Sequence, residues 1–193
     1  TVDSFYKLYM VPGAGHCGGG IGYYHTWTQA FDALVNWVEN GVEPNVIVGA
    51  RAENVDPLWP AARTRPICPY PEVARYSGAG SIEDAANFMC VPPIEVKITP
   101  KTFNLSNKKG TITAKISVPK GYDIKDWNIG NLTCEGATMT KGVSSGKTYT
   151  AKFNKEDLVL TPGDAVTVTV KGTFTYETKQ AQIQASDTIR VIE

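Results

Sequence analysis

The chain has 193 residues, 19 basic and 19 acidic, for a formal net charge of zero. That balance excludes a protein that holds nucleic acid or an anionic membrane through bulk charge. No run of about 18 apolar residues is present to cross a bilayer as a helix, and the length suits one large domain or two small ones.

Thr1-Val2-Asp3-Ser4 lacks the basic start of a signal peptide, and the apolar run that follows is short and carries Lys7. A strand-like run so close to residue 1 reads as a processed or truncated product. That run, Phe5 to Val11, is aromatic-rich and predicts a strand. It is followed by the glycine-rich stretch Pro12-Gly13-Ala14-Gly15-His16-Cys17-Gly18-Gly19-Gly20. Gln29 to Asn40 predicts a helix, with Ala30, Leu34, Trp37 and Val38 as its apolar stripe. Thr26 or Thr28 suits its N-cap, Gly41 its C-cap, and Pro44 lies just beyond. Val46 to Ala50 predicts a second strand, so the first fifty residues read as strand–loop–helix–strand, a piece of an α/β layer.

From 51 to 93, seven prolines break regular structure. Arg63 to Pro71 runs extended, and Ser81 to Asn87 suits one short helix with Ser81 as N-cap and Asp84 as its capping-box carboxylate. A Cys68–Cys90 disulfide would hold this segment, closing a loop of about 20 residues for roughly 3 kcal/mol. Two unpaired buried thiols are the alternative. No two cysteines are spaced as zinc ligands, so no metal and no cofactor is expected.

From Ile94 the pattern becomes strict alternation: Ile94, Val96, Ile98; Ile112, Ala114, Ile116, Val118; Tyr149, Ala151, Phe153; Val166, Val168, Val170; Ile189, Val191. Glycine and proline turns separate these runs. About seven strands in about 100 residues, with one apolar face, predict an immunoglobulin-like antiparallel β-sandwich. The expected fold class is therefore mixed α+β, with domains 1–93 and 94–193. Cys134 reads as a lone buried thiol acting as a small apolar residue.

Several motif matches carry no chemistry in their context. Gly13 to Gly18 satisfies G-x-G-x-x-G, but Gly19, Gly20 and Gly22 separate it from the helix, so no helix N-terminus meets a pyrophosphate. Gly142-Val143-Ser144-Ser145-Gly146 satisfies G-x-S-x-G between two alternating strands, where a hairpin fits and a nucleophile elbow does not. Asn104-Leu105-Ser106 and Asn131-Leu132-Thr133 are sequons that matter only in a eukaryotic secretory host. His25, among Tyr23, Tyr24 and Trp27, reads as packing or surface. His16 is the serious candidate, although spacing alone favours a structural histidine. An imidazole titrating near neutrality can take and return a proton during acyl transfer, and strand, glycine turn, histidine, helix is the setting of a triad histidine.

Tyr9 to Gly20, Leu34 to Gly41, Arg63 to Pro71, Tyr76-Ser77-Gly78 and Ala86 to Cys90 together resemble the C-terminal end of the tannase/feruloyl esterase family, over roughly residues 5 to 91. The resemblance implies a secreted serine carboxylesterase of α/β-hydrolase fold, acting on feruloyl- or galloyl-type aromatic esters; residues 94–193 resemble small β-modules appended to bacterial secreted proteins, so a secreted or periplasmic bacterial setting is expected. The family resemblance makes His16 the catalytic histidine. It gives Cys17 the position bridged, in the family, to a cysteine beside the nucleophilic serine, and gives Cys68 and Cys90 a second family disulfide. The family's serine, aspartate and oxyanion hole precede this stretch, so Cys17 lacks its partner and the isolated chain is expected to be inactive. The expected partner is the missing N-terminal hydrolase portion or a second copy of the chain. The alternative is a non-catalytic β-sandwich serving as a spacer or binding carbohydrate or protein, with Tyr122, Trp127, Phe174 and Tyr176 as candidate aromatics.

Overall fold

The computed structural model describes residues 2–16, 22, 26–51, 62–125, 127–176 and 179–193. The chain divides into two compact units, Thr1–Val91 and Pro92–Glu193. Among the described residues it is mostly β, with one α-helix of 14 residues. No described helix is long and apolar enough to cross a membrane.

In the first unit, α1 spans Trp27–Asn40. Gly41 ends it at φ 69, and its N–H bonds the Trp37 carbonyl at 3.0 Å. Only a residue free of Cβ strain takes this left-handed position cheaply, so a glycine stops the helix here. β1 (Ile47–Arg51) pairs antiparallel with β2 (Arg63–Ile67). β3 (Val73–Tyr76) pairs antiparallel with β4 (Phe88–Val91). The proline-rich segment is thus more regular than its composition suggests. In a two-stranded sheet each strand is an edge, and Pro66 costs no central ladder bond. The short helix is a single 3-10 turn, Ala85–Asn87, capped by Asp84, whose carboxylate accepts from the Ala86 N–H at 2.9 Å.

Phe5 to Val11 is not a regular strand. It makes one isolated bridge, Tyr9 to Pro69, and the Tyr70 N–H donates to the Leu8 carbonyl at 2.7 Å. The facing stretch is Pro69-Tyr70-Pro71, which has one N–H in three residues, so the ladder cannot propagate. The expected strand–helix–strand layer is therefore one helix beside an antiparallel pair. The core of this unit is built on Ile47, Ile67, Cys68, Met89 and Val91, all buried. Cys68 and Cys90 are joined as a disulfide with their Cα atoms 5.5 Å apart.

The second unit is a single nine-stranded sheet. Its strands are β5 (Glu95–Thr99), β6 (Thr102–Asn104), β7 (Thr111–Ser117), β8 (Asn128–Ile129), β9 (Thr133–Cys134), β10 (Ala137–Ser145), β11 (Thr148–Asn154), β12 (Gly163–Tyr176) and β13 (Lys179–Ile192). Their order is β5-β7-β11-β10-β9-β12-β13-β6, with β8 on β12. Every pairing is antiparallel except β13 with β6. β10 pairs both β11 and β9, with its register shifting between Met139 and Lys141. The sheet curls until β5 returns beside β13, where the Asp187 carboxylate accepts the Ile98 N–H at 2.6 Å. It is nearly closed, rather than two separate sheets. Alternation dictates the inside: Val96, Ile98, Ile112, Ala114, Ile116, Tyr149, Ala151, Phe153, Val168, Val170, Ile189 and Val191 are all buried.

Candidate functional site

The histidine loop grows out of Tyr9. The Tyr9 hydroxyl donates to the Pro44 carbonyl at 2.7 Å, and its backbone meets Pro69. Burial raises the phenol's pKa, with Lys7 opposing and Glu43 and Glu72 adding to the rise, so Tyr9 stays a hydrogen-bond donor at neutral pH. Lys7 pairs with Glu43. The segment before the loop is therefore tied both to β2's extension and to the stretch after α1.

The chain then turns tightly. The Ala14 N–H reaches the Val11 carbonyl at 3.4 Å, and Gly13 sits at φ 73. Gly22 is buried against that turn. A Cβ there would lie 2.4 Å from the Ala14 nitrogen and 2.5 Å from the Gly13 carbonyl carbon. Backbone against backbone at this range admits only glycine, which closes the loop at its base. His16 stands in the turn above, exposed. Cys17, Gly18 to Gly20 and His25 lie outside the described residues.

Other sequence candidates resolve by burial. Trp127 and Phe174 are core residues, stacked with ring centroids 4.2 Å apart, while Tyr176 tilts against Trp127 and Tyr122 is half-buried. Trp127, Phe174 and Tyr176 form a ring cluster rather than an exposed row. Gly142 to Ser145 lie in β10 and Gly146 turns the β10–β11 hairpin. Cys134 is buried and unbridged, and burial, aided by Glu135, pushes its thiol pKa up to about 12. It is thus a poor nucleophile. Among the described residues, no three His, Cys, Asp or Glu side chains are grouped to hold a metal ion.

Two arrangements were not anticipated. Arg63 pairs with Glu83, Nε to Oε2 at 2.7 Å, while Thr64 takes the Ala85 N–H on its hydroxyl at 2.8 Å and gives its own N–H to the Glu83 carbonyl. These bonds pin the 83–85 segment to β2. The second is on α1, where Ala30, Ala33 and Trp37 are half-buried but Trp27, Phe31, Leu34 and Val38 are exposed. Their i, i+4, i+7, i+11 spacing was the available signal.

Residues 1–91 match the family described as tannase and feruloyl esterase. The chain is 43% identical over 107 residues to an uncharacterized esterase of Xanthomonas campestris pv. campestris, covering 46% of this chain and 18% of that protein. It is 47% identical over 92 residues to a mono(2-hydroxyethyl) terephthalate hydrolase of Piscinibacter sakaiensis, covering 46% and 14%. It is 36% identical over 102 residues to a probable feruloyl esterase B-2 of Neosartorya fischeri, covering 47% and 19%. The first unit is thus similar to esterases of this family, and the chain spans less than a fifth of the length of these curated relatives. The family match ends at residue 91.

Proposed function

We propose that residues 1–93 are the C-terminal portion of a bacterial, secreted or periplasmic serine carboxylesterase of α/β-hydrolase fold, acting on feruloyl- or galloyl-type aromatic esters. The family match over residues 1–91 carries this reading. In it, His16 is the general base. It takes the proton from a serine hydroxyl as that oxygen attacks the ester carbonyl, then returns it to the leaving alcohol. An exposed imidazole on a loop closed by Gly22 and anchored through Tyr9 suits that role, because the ring is presented while its backbone is held. The serine, aspartate and oxyanion donors come from the rest of the hydrolase. Those donors and the nucleophile supply most of the rate enhancement in acyl transfer, so the isolated chain is inactive. Cys17 would bridge to a cysteine beside that serine.

Residues 94–193 we infer to be an immunoglobulin-like accessory module. The strand orders β5-β7-β11-β10 and β9-β12-β13-β6, joined through β10 into one nearly closed antiparallel sheet, are the support for this reading. A spacer role is favoured over carbohydrate binding, because Trp127 and Phe174 are spent on the core.

Two assays test the catalytic reading. The chain alone should not turn over p-nitrophenyl acetate or methyl ferulate. When the full chain replaces the aligned segment of the Piscinibacter sakaiensis hydrolase, turnover should return and be abolished by His16→Ala. Turnover that survives this substitution removes His16 from the mechanism.

A further inference from the structure

Helix α1 has a wider apolar surface than the described residues of its unit cover. At about 100° per residue, Ala30, Ala33 and Trp37 fall on one side. They are half-buried and line a groove with Tyr6, Tyr9 and Ile47, at whose rim Leu34 also stands. Trp27, Phe31, Leu34 and Val38 fall within an arc of about 60°, roughly 90° further round. They are 84%, 65%, 51% and 77% exposed. Thr28, Asp32, Asn36, Glu39 and Asn40 hold the opposite, polar side. A helix meant for one contact carries one apolar stripe backed by polar residues. This one carries two adjoining stripes, and a contiguous exposed patch led by a tryptophan and a phenylalanine marks a contact surface.

We propose that the Trp27–Phe31–Leu34–Val38 stripe is the seam on which the remainder of the hydrolase docks. This rests on the reading of residues 1–93 as part of such an enzyme. The relatives supply the occupant: more than four-fifths of each has no counterpart in this chain. A second copy is the weaker candidate, since four side chains on a 14-residue helix fall short of the roughly 800 Å² per partner of a stable dimer. Helix α1 is then a two-sided wedge. One face rests on the Phe5–Tyr9 segment and β1, and the other is left for the body that carries the nucleophile.

The test compares one double substitution, Phe31→Glu with Val38→Glu, in two settings. In the full chain alone it should leave melting temperature and helix content unchanged, because both side chains already face solvent. In the Piscinibacter sakaiensis hydrolase carrying the full chain in place of its aligned segment, it should lower the melting temperature by several degrees and expose dye-binding apolar surface. The proposal is overturned by equal melting of substituted and unsubstituted hybrid, or by destabilisation of the isolated chain. It is also overturned if the unsubstituted hybrid fails to fold where the parent hydrolase folds, or if the isolated chain forms a dimer that the double substitution dissolves. His16→Ala in the hybrid separates the two readings: a folded, stripe-dependent hybrid that keeps turnover without His16 sinks the catalytic role and leaves the seam standing.

Discussion

Asp187 closes the curl of the second unit, and removing it should open the β5–β13 seam. Its carboxylate accepts the Ile98 N–H at 2.6 Å and the Thr188 N–H at 2.8 Å, and it pairs with the Lys101 ammonium. Ile98 is fully buried and its other edge is already taken by β7. In Asp187→Ala its N–H is left without an acceptor unless the seam parts. An orphaned buried donor costs about 1–3 kcal/mol, with the charged acceptor towards the upper end. A loss of about 2 kcal/mol corresponds to roughly 10 °C in a unit of this size. The pH dependence carries its own sign. Burial raises the Asp187 carboxyl pKa, but the bonds from Lys101, Ile98 and Thr188 outweigh that and hold it below the ordinary value. The unfolded chain therefore takes up the proton first. The stabilisation is complete above about pH 3.9 and fades as the pH falls through the lower folded value. Circular dichroism melts at neutral pH and near pH 3, with amide exchange at Ile98, read both effects. Wild type and Asp187→Ala should differ at neutral pH and converge in acid. An Ile98 amide that exchanges no faster in the variant would refute the seam.

Reducing the Cys68–Cys90 disulfide, or replacing Cys90 with serine, should cost the first unit roughly 3 kcal/mol, from a closed loop of 22 residues. Melts with and without reductant, followed at Trp37 and at Trp127, should show the loss in the first unit only. Gly172→Ala should destabilise the second unit by about 1–3 kcal/mol, since the added Cβ would sit 2.5 Å from Leu132 Cδ2 and 2.8 Å from the Asn131 carbonyl oxygen. A denaturation midpoint equal to wild type contradicts this. Cys134, buried and with its thiol pKa raised to about 12, should resist iodoacetamide in the folded chain and react only on unfolding; mass spectrometry of the labelled peptide decides.

What could be read in advance follows from where each feature's cause lies. Alternation at Ile112, Ala114 and Ile116 is a local signal, and all three are fully buried. The helix end was legible because Gly41 carries its own conformational reason. Phe5 to Val11 read as a strand on its residues, yet a ladder needs a partner with N–H groups, and that partner is Pro69-Tyr70-Pro71. β8 and β9 have two residues each, too short to show a period. The clasp between Asp187 and Ile98 joins residues 89 apart, beyond any local pattern. On α1, periodicity identified apolar residues but not which of two adjoining stripes would be covered. The turn ahead of His16 was legible from Gly13, whereas the role of Gly22 appears only when its backbone is seen against Gly13 and Ala14.

The parallel pairing of β6 with β13 bears on how the second unit carries load. Thr102, Phe103 and Asn104 lie beside Arg190, Val191 and Ile192, and the Leu105 N–H adds a bond to the Ile192 carbonyl at 2.9 Å. A pull entering at Pro92 and leaving at Glu193 draws these two strands in opposite directions along their length. Their hydrogen bonds are then strained together in shear rather than unzipped one at a time. A pull on the two ends would load β5 against β7 first, and then this short strand pair in shear.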